Sequence, residues 1–283
     1  MRERKILIPK ISVVTPVYND AKYIEESILS VLTQDYSSIE HIIIDGASTD
    51  GTKEIIEKYS GHLAYWSSEP DEGNSQAINK AFSKTTGDII CILMADERYL
   101  PGALSLVADA FNASANIDFV FGEAIIVDES GQEIRRRNYP PMHPYYYMWY
   151  GQRLLQPDNC FWSRRAHLLT GAFDEVNFPS ASSDEDWFIR LTFNVKGWKR
   201  IDQPISIFTE RPDRLTLRYS PEQWFEHKRR ARAKWKAMHK ENILSMTLKW
   251  FFANSYRKFL EGRLLVACHP LNSFRDMLGL NRR

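Results

Sequence analysis

Acidic side chains follow three successive apolar segments in the first part of the chain. Asp45 follows HIII, Asp71 follows LAYWSSEP, and the neighbours Asp96 and Glu97 follow IICILMA. Carboxylates in such places can bind a divalent cation, accept a hydrogen bond from a nucleotide base, or take up a proton as a general base. A solvated loop accounts for one such acid, whereas acids after three segments in succession predict a shared site.

A second group of acids opens the segment SDEDWFIRL, whose apolar residues recur with helical spacing. These acids are Asp184, Glu185 and Asp186. The start of a helix lowers the pKa of a carboxyl, so that an acid there stays ionised and can accept a proton. The alternative is that all three acids only complement the helix dipole.

The first half of the chain contains the elements that could bring these acids together. Apolar strands that include ISVVTPV, HIII, LAYW and IICILMA alternate with amphipathic helices. Such alternation with short connections predicts a parallel sheet with helices on both faces. Ligands bind such sheets beyond the carboxyl ends of the strands, where the first group of acids falls.

The second half has a different pattern. IDFVFGEAIIVDESGQEIRRR predicts a hairpin that turns at DESGQ, and the Pro- and Tyr-rich stretch after it predicts a long loop. SRRAHLLTGAF predicts a short helix, SDEDWFIRLTFNVKGW an acid-led helix and KRIDQPISIFTE a final strand. The segment after residue 220 predicts one long helix or two shorter ones.

Composition is that of a soluble globular protein, with 43% hydrophobic and 26% charged residues in a chain of 283. Three cysteines without C-x-x-C spacing argue against a disulfide framework or a cysteine zinc site. We find no signal-peptide pattern and no apolar run of about 18 residues, so we expect a cytoplasmic protein. The net charge of +1 divides into −8 before residue 221 and +9 from there onward.

Several motifs in order resemble family-2 glycosyltransferases of the GT-A fold. They are ISVVTPVYNDAKYIEESILSVLTQ, HIIIDGASTDGT, SEPDEGNSQAINKAFSKTTGDII, MADERYLPGAL, FWSRR, GAFDE and SDEDWFIRL, between about Ile11 and Thr216. The resemblance implies an α/β GT-A domain over residues 1–218, with a Rossmann-like, mostly parallel central sheet flanked by helices. A basic helical extension follows over residues 219–283.

This resemblance implies an inverting transfer of a sugar from a nucleotide diphosphate to an acceptor hydroxyl. The donor would be linked to UDP, GDP or dTDP, and the acceptor would be a saccharide or a lipid-linked sugar of a cell-surface polysaccharide or glycolipid pathway. The nucleotide contacts implied are Thr15, Pro16, Tyr18, Asp45, Asp71 and Ala95. The alternatives are that Thr15 and Pro16 form a turn, that Asp45 caps a helix and that Asp71 serves a turn.

For the metal, the resemblance places Asp96 as the ligand of Mn²⁺ or Mg²⁺. Two positions depart from the family pattern. Met94 stands where a polar residue is usual, and Glu97 stands where Asp is usual. Glu97 is then expected to orient water, the acceptor or the loop.

For the base, the family's carboxylate lies six residues before the Arg of an Arg-Leu pair. That pair is Arg190-Leu191, so the predicted base is Asp184. The resemblance also suggests acceptor or sugar contacts, with Trp162 equally well a core residue. These residues are Glu97, Gln156, Asn159, Trp162, Glu185 and Asp186.

The basic extension mixes lysine and arginine with tryptophan and phenylalanine along helical stripes. Such a segment suits an anionic membrane surface, and it equally suits packing on the catalytic domain or on a second subunit in a homo-oligomer. No nucleic-acid-binding motif accompanies the charge.

Two other functions stay open from the sequence. One is a catalytically impaired sugar-nucleotide-binding or scaffold protein. The other is a sugar nucleotidyltransferase, which would need a glycine-rich basic loop that TPVYNDAKY lacks. A dinucleotide oxidoreductase is disfavoured, because no G-x-G-x-x-G follows any predicted strand.

Overall fold

The structure is a computed structural model. It describes residues 8–138, 157–176 and 183–212, together with Glu222, Glu226, Arg229, Arg230, Ala233 and Lys234. The predicted Pro- and Tyr-rich loop, Gln156, the boundary near residue 218 and most of the basic extension lie outside the described residues.

Strands and helices alternate through the first half of the chain, as predicted. The bounds are β1 Ile11–Val17, α1 Ile24–Leu32, β2 Ile39–Asp45, α2 Thr52–Tyr59, β3 Tyr65–Ser68, α3 Asn74–Phe82, β4 Ile89–Ile92, β5 Glu97–Tyr99 and α4 Ala103–Asn112. The second half continues with β6 Ile117–Val127, β7 Glu133–Arg137, β8 Cys160–Ser163, α5 Arg164–Thr170, α6 Ser183–Asn194 and β9 Gly197–Thr209. The predicted hairpin, short helix, acid-led helix and final strand are thereby confirmed.

One sheet joins the described strands in the order β3-β2-β1-β4-β8-β6-β9-β5, and β7 pairs with β6. The strands β3, β2, β1 and β4 are parallel to one another, and β6 is parallel to β9. The other pairings are antiparallel. The carboxyl ends of the first four strands therefore lie at one edge of the sheet.

Helices cover both faces of this sheet, as strands buried on both faces require. Val14 faces a cluster that includes residues of α3, α5 and α6, whereas Ile11 and Val13 face a cluster that includes residues of α1 and α4. All seven residues of β1 are buried. No helix among the described residues has the length and hydropathy to cross a bilayer.

The fourth strand is shorter than its apolar run suggests, and a strand that the sequence pattern did not indicate follows it. β4 ends at Ile92, and Glu97–Tyr99 forms β5, antiparallel to β9. A turn separates the two strands, because the backbone N–H of Glu97 donates to the carbonyl of Met94 at 3.0 Å. Asp96 therefore lies in a tight turn rather than in an open loop after a strand.

Candidate active site

Two of the predicted nucleotide contacts, Asp45 and Asp71, lie side by side at the carboxyl edge of the parallel strands. Asp45 ends β2 and is fully buried, with its carboxylate accepting from the Ser48 backbone N–H at 3.1 Å and the Ser68 hydroxyl at 2.6 Å. A Cβ at Gly46 would lie 3.0 Å from Oδ2 of Asp71, so glycine leaves room for the close approach of the Asp71 carboxylate.

Charge and burial act together on Asp71. Burial raises the pKa of its carboxyl, and the negative charge of Asp45 raises it further, while the backbone N–H of Gly73 lowers it. Two carboxylates held together at the ends of parallel strands present acceptor oxygens to which a ligand can donate hydrogen bonds.

The loops after β1 and β2 are tied to each other next to these acids. Asn19 donates from its backbone N–H to the Ser48 hydroxyl at 2.8 Å, and its side-chain oxygen accepts from Thr49 at 2.9 Å. Asn19 and Ala47 both have a positive φ, of 52° and 63°. Residues other than glycine keep this conformation only where the surrounding structure holds them, and such positions cluster at binding sites.

The other predicted nucleotide contacts differ in exposure. Tyr18 is 63% exposed, so its ring is open to a ligand. Thr15 is fully buried and its hydroxyl lies 2.9 Å from Nε2 of His41. Pro16 is buried in β1, and Ala95 packs in the core with Val17 and Ile24. The geometry thus leaves Tyr18 as the one accessible side chain of these four.

The paired acids Asp96 and Glu97 have unequal roles. Oε2 of Glu97 accepts from the backbone N–H of Met94 at 3.0 Å, and the side chain is 2% exposed. Glu97 therefore stabilises the turn that contains Asp96. Of the expected roles, which were to orient water, the acceptor or the loop, this contact matches the last. Met94 is partly buried against the core, where a thioether suits its surroundings.

Asp96 contacts an arginine that the sequence did not single out. Oδ2 of Asp96 lies 3.2 Å from Nε of Arg211, two residues beyond the end of β9. The same guanidinium donates to both carboxylate oxygens of Asp20, with one of the two contacts at 3.0 Å, and stacks 4.8 Å above the ring of Tyr23. The side chains of Asp96, Asp20 and Arg211 are 8%, 13% and 14% exposed.

This arrangement does not fit the predicted metal. No group of three His, Cys, Asp or Glu side chains suited to a metal ion occurs in the described part of the chain. The predicted ligand is already paired with a guanidinium, and a cation that bound Asp96 would have to compete with it. Mn²⁺ or Mg²⁺ at Asp96 is therefore not supported by the geometry of the residues around it.

The three acids at the start of α6 differ in how deeply they are buried. Asp184 is exposed, and its Oδ1 accepts from the backbone N–H of Glu185 at 2.7 Å. Asp186 is fully buried and pairs with Arg190 at 2.9 Å. Glu185 is 8% exposed. Of the three, Asp184 is the one whose carboxylate can reach a ligand from solvent.

Asp186 also contacts the basic extension. Nζ of Lys234 lies 3.3 Å from Oδ1 of Asp186 and 3.1 Å from Oδ2 of Asp174. At Lys234 the extension therefore packs on the catalytic domain, one of the alternatives stated for it, and it does so two residues from the predicted base.

Among the predicted acceptor contacts, Trp162 is a core residue. It is fully buried, with its ring centroid 4.8 Å from that of Trp187. This placement matches the core alternative and leaves no exposed surface for a ligand. Asn159 is also fully buried, and its side-chain oxygen accepts from the Cys160 thiol at 3.4 Å.

Sequence reasoning missed Asp20, Arg211 and the fully buried Asp158, which accepts from Ser206 at 2.6 Å. It counted Lys234 among the basic residues of the extension but did not predict its contact with Asp186. Asp20 and Arg211 lie 191 residues apart in the chain. No local spacing marks such a pair. A weak signal was available, since Arg211 closely follows the final predicted strand, but charged residues after strands are common.

The parallel strand ends with their buried acids, together with the mixed sheet beyond them, define an α/β protein of the GT-A type. The chain belongs to glycosyl transferase family 2, whose sequence model matches residues 12–170. Both the predicted family and the predicted fold class are confirmed.

Curated relatives are similar over part of their length. The chain is 38% identical over 96 residues to a putative teichuronic acid biosynthesis glycosyltransferase, TuaG, of Bacillus subtilis, which covers 32% of this chain and 37% of that protein. It is 31% identical over 116 residues to an uncharacterized glycosyltransferase of Mycobacterium tuberculosis, covering 40% of this chain and 44% of that protein. The matched region thus spans less than half of either relative.

Solved structures share the fold at low sequence identity. A fragment of S. aureus TarS in complex with UDP-GlcNAc superimposes with a TM-score of 0.66 and 20% identity, over 94% of this chain and 80% of the fragment. The mannosyltransferase PcManGT of Pyrobaculum calidifontis, in complex with GDP-Man and Mn²⁺, gives 0.53 and 17% identity, over 95% and 88% of the two chains.

Proposed function

We propose that this glycosyltransferase moves a sugar from a nucleotide diphosphate to an acceptor hydroxyl with inversion at the anomeric carbon. The observation that carries the proposal is the pair Asp45 and Asp71, held at the carboxyl edge of the parallel strands in a chain of this family. Similar folds bind UDP-GlcNAc, UDP and GDP-Man, which supports a nucleotide-linked donor.

In this proposal Asp184 is the general base. The acceptor oxygen attacks the anomeric carbon, its proton passes to the carboxylate of Asp184, and the bond to the diphosphate breaks on the opposite face with its electron pair leaving on the phosphate oxygen. Asp184 is exposed in the first turn of α6, where an acceptor can approach its carboxylate from solvent. Asp186, buried and paired with Arg190, is unsuited to this role.

The nucleotide end is assigned to Asp45, Asp71 and Tyr18. A buried carboxylate that accepts from hydroxyls in the free protein can exchange one of them for an N–H of a base. The exposed ring of Tyr18 can stack on that base. Contacts from Thr15, Pro16 and Ala95 are proposed through the backbone, because their side chains are buried.

We propose a cell-surface polysaccharide or glycolipid acceptor, and the teichuronic acid name of TuaG supports that class. Glu185 remains a proposed contact beside Asp184. Membrane contact through the basic extension, a homo-oligomer and a cytoplasmic location stay predictions.

A divalent cation has no step in this mechanism, because Asp96 is paired with Arg211 rather than arranged for a metal. The Mn²⁺ bound by PcManGT belongs to that protein. A bound divalent cation would stabilise the negative charge of the leaving diphosphate. We propose that residues of this chain stabilise that charge instead.

The test is a binding screen followed by a turnover assay. UDP, GDP and dTDP are titrated by calorimetry, and sugar donors of the best-bound nucleotide are then assayed for transfer in membrane extracts. We expect one nucleotide to bind and Asp45→Ala to weaken it by roughly tenfold or more, as loss of a buried hydrogen-bond partner predicts. The exposed Asp202→Ala serves as the matched control. No binding by any of the three nucleotides would overturn the proposal.

A further inference from the structure

The guanidinium of Arg211 lies where the sequence predicted a metal. It contacts Asp96 through Nε at 3.2 Å, and it donates to both oxygens of Asp20 from its other two nitrogens. Asp20 follows β1 and Asp96 follows β4, which are neighbours in the sheet, so one cation joins two adjacent strand ends.

Three features hold this cation in place. The fork of the guanidinium matches the carboxylate of Asp20, its plane stacks 4.8 Å above the Tyr23 ring, and the side chain is only 14% exposed. The backbone N–H of Asp20 is itself fixed by the Thr52 hydroxyl at 2.9 Å. Arginine stays charged at every pH that proteins experience, so the positive charge is permanent.

Arginine also has the chemistry that the reaction requires. Guanidinium N–H groups bind phosphate oxygens, and a positive charge fixed before the reaction stabilises charge that develops in the transition state. An arginine beside the leaving diphosphate therefore stabilises the negative charge of the diphosphate, as a divalent cation would. The arginine stays protonated throughout.

We propose that Arg211 is the resident cation of this site and that sugar transfer requires no divalent metal. The inference rests on the proposed function and deepens it. As the bond from the anomeric carbon to the diphosphate breaks, the electron pair goes to the phosphate oxygen, and Arg211 stabilises that charge while remaining protonated.

The first test compares nucleotide binding and transfer with and without metal. The best-bound nucleoside diphosphate is titrated in excess EDTA and again in Mn²⁺, and turnover is measured in both. We expect the Kd and the rate to be unchanged in the wild type. Arg211→Gln is expected to lower the rate by about 10²- to 10³-fold, as loss of one transition-state donor predicts.

The matched control is Arg135→Gln, because Arg135 is 54% exposed and pairs with Glu210. Glu210 is the residue before Arg211, so the control removes an ion pair from the same segment. We expect this variant to keep the wild-type rate. If Arg211→Gln fails to fold, Arg211→Lys and the wild-type comparison in EDTA decide the question. Loss of wild-type transfer in EDTA, restored by Mn²⁺, overturns the proposal.

A second test measures metal binding to the free protein, independently of any donor. Asp20 and Asp96 both contact the guanidinium of Arg211, so Arg211→Ala removes a positive charge that the two carboxylates share and favours a bound cation in its place. By spin resonance of Mn²⁺, we expect no specific binding to the wild type, binding to Arg211→Ala, and loss of that binding when Asp96→Asn is added.

Specific Mn²⁺ binding to the wild type that Asp96→Asn abolishes would contradict a resident arginine. This result is separate from the proposed function. If no nucleoside diphosphate binds, the transferase proposal fails, and the Mn²⁺ titration still shows whether Arg211 keeps a metal from Asp96.

Discussion

Neighbouring carboxylates in this protein differ in exposure and in the groups that they contact. Asp184 is exposed at the first turn of α6, whereas Asp186, two residues on, is buried between Arg190 and Lys234. The same division holds in the turn after β4, where Asp96 faces Arg211 and Glu97 binds the backbone of Met94. Residue type alone does not separate the members of either pair.

The first prediction concerns Asp184 and Asp186. Asp184→Asn is expected to lower the rate of transfer by about 10²- to 10⁴-fold, because it removes the proton acceptor, and to leave the melting temperature and the nucleotide Kd unchanged. Asp186→Asn is expected to destabilise the fold by about 3 kcal/mol, since Arg190 and Lys234 lose the charge of the buried carboxylate that they contact. Turnover and thermal unfolding of both variants measure this. A stable but inactive Asp186→Asn with an active Asp184→Asn would reverse the assignment.

The second prediction concerns Asp96 and Glu97. Asp96→Ala is expected to abolish transfer, because Arg211 loses a carboxylate that holds its guanidinium in place. Glu97→Ala is expected only to weaken transfer and to lower the free energy of unfolding by about 1–3 kcal/mol, the effect of leaving the partly buried Met94 N–H without this acceptor. Initial rates and urea unfolding compare the two. Equal losses of activity with no loss of stability in Glu97→Ala would count against a role in the turn.

At the scale of elements, the helix α6 connects the predicted base with the basic extension. Lys234 contacts Asp174, just after α5, and Asp186 within α6. At Lys234 the extension thus contacts the helix that contains Asp184. From the sequence, the positive charge of the extension suited either a membrane or the catalytic domain. Part of that charge, on Lys234, pairs with carboxylates of the catalytic domain.

The third prediction tests this contact. Lys234→Met is expected to lower the melting temperature and to speed tryptic cleavage within the extension, because an ion pair with the buried Asp186 is lost. Arg230→Met is the control, since Arg230 is 65% exposed and pairs with Glu226 on the same segment. Equal cleavage of the two variants would show that Lys234 does not anchor the extension.

The sequence predicted those elements whose pattern is local. The strands β1 to β4 and the helices between them follow from apolar runs and helical spacing, and Asp45 and Asp71 follow from strand ends. β5 has three residues and exists because it pairs with β9, more than a hundred residues later. The Arg211 pairs are likewise long-range contacts, which depend on how β9 lies in the sheet.

At the scale of the whole molecule, two buried histidines make stability depend on pH. His41 of β2 lies 2.9 Å from the Thr15 hydroxyl on the neighbouring β1, and burial lowers its pKa to about 3. His167 lies against Phe82 and Trp162, and burial, aided by the charge of Arg164, lowers its pKa to about 4. Both are neutral in the folded protein at pH 5, where unfolded histidine is mostly protonated.

The fourth prediction follows from the sign of these shifts. The unfolded chain binds more protons than the folded one below pH 6.5, so stability is fully present above that pH and falls as the pH drops toward 4 and then 3. Each histidine is expected to cost about 2 kcal/mol at pH 5 relative to pH 7.5, well before most carboxyl groups titrate.

Urea unfolding at pH 7.5, 6.5, 5.5 and 5.0 measures this dependence. The wild type is expected to lose about 4 kcal/mol over that range if both histidines contribute fully. His41→Gln keeps a partner for the Thr15 hydroxyl and cannot titrate, so its absolute stability is expected to be lower but its slope with pH about half that of the wild type. The exposed His62→Gln is the control and should retain the full slope. An unchanged slope in His41→Gln would mean that protonation of His41 does not oppose folding, and that the acid sensitivity of the sheet arises elsewhere.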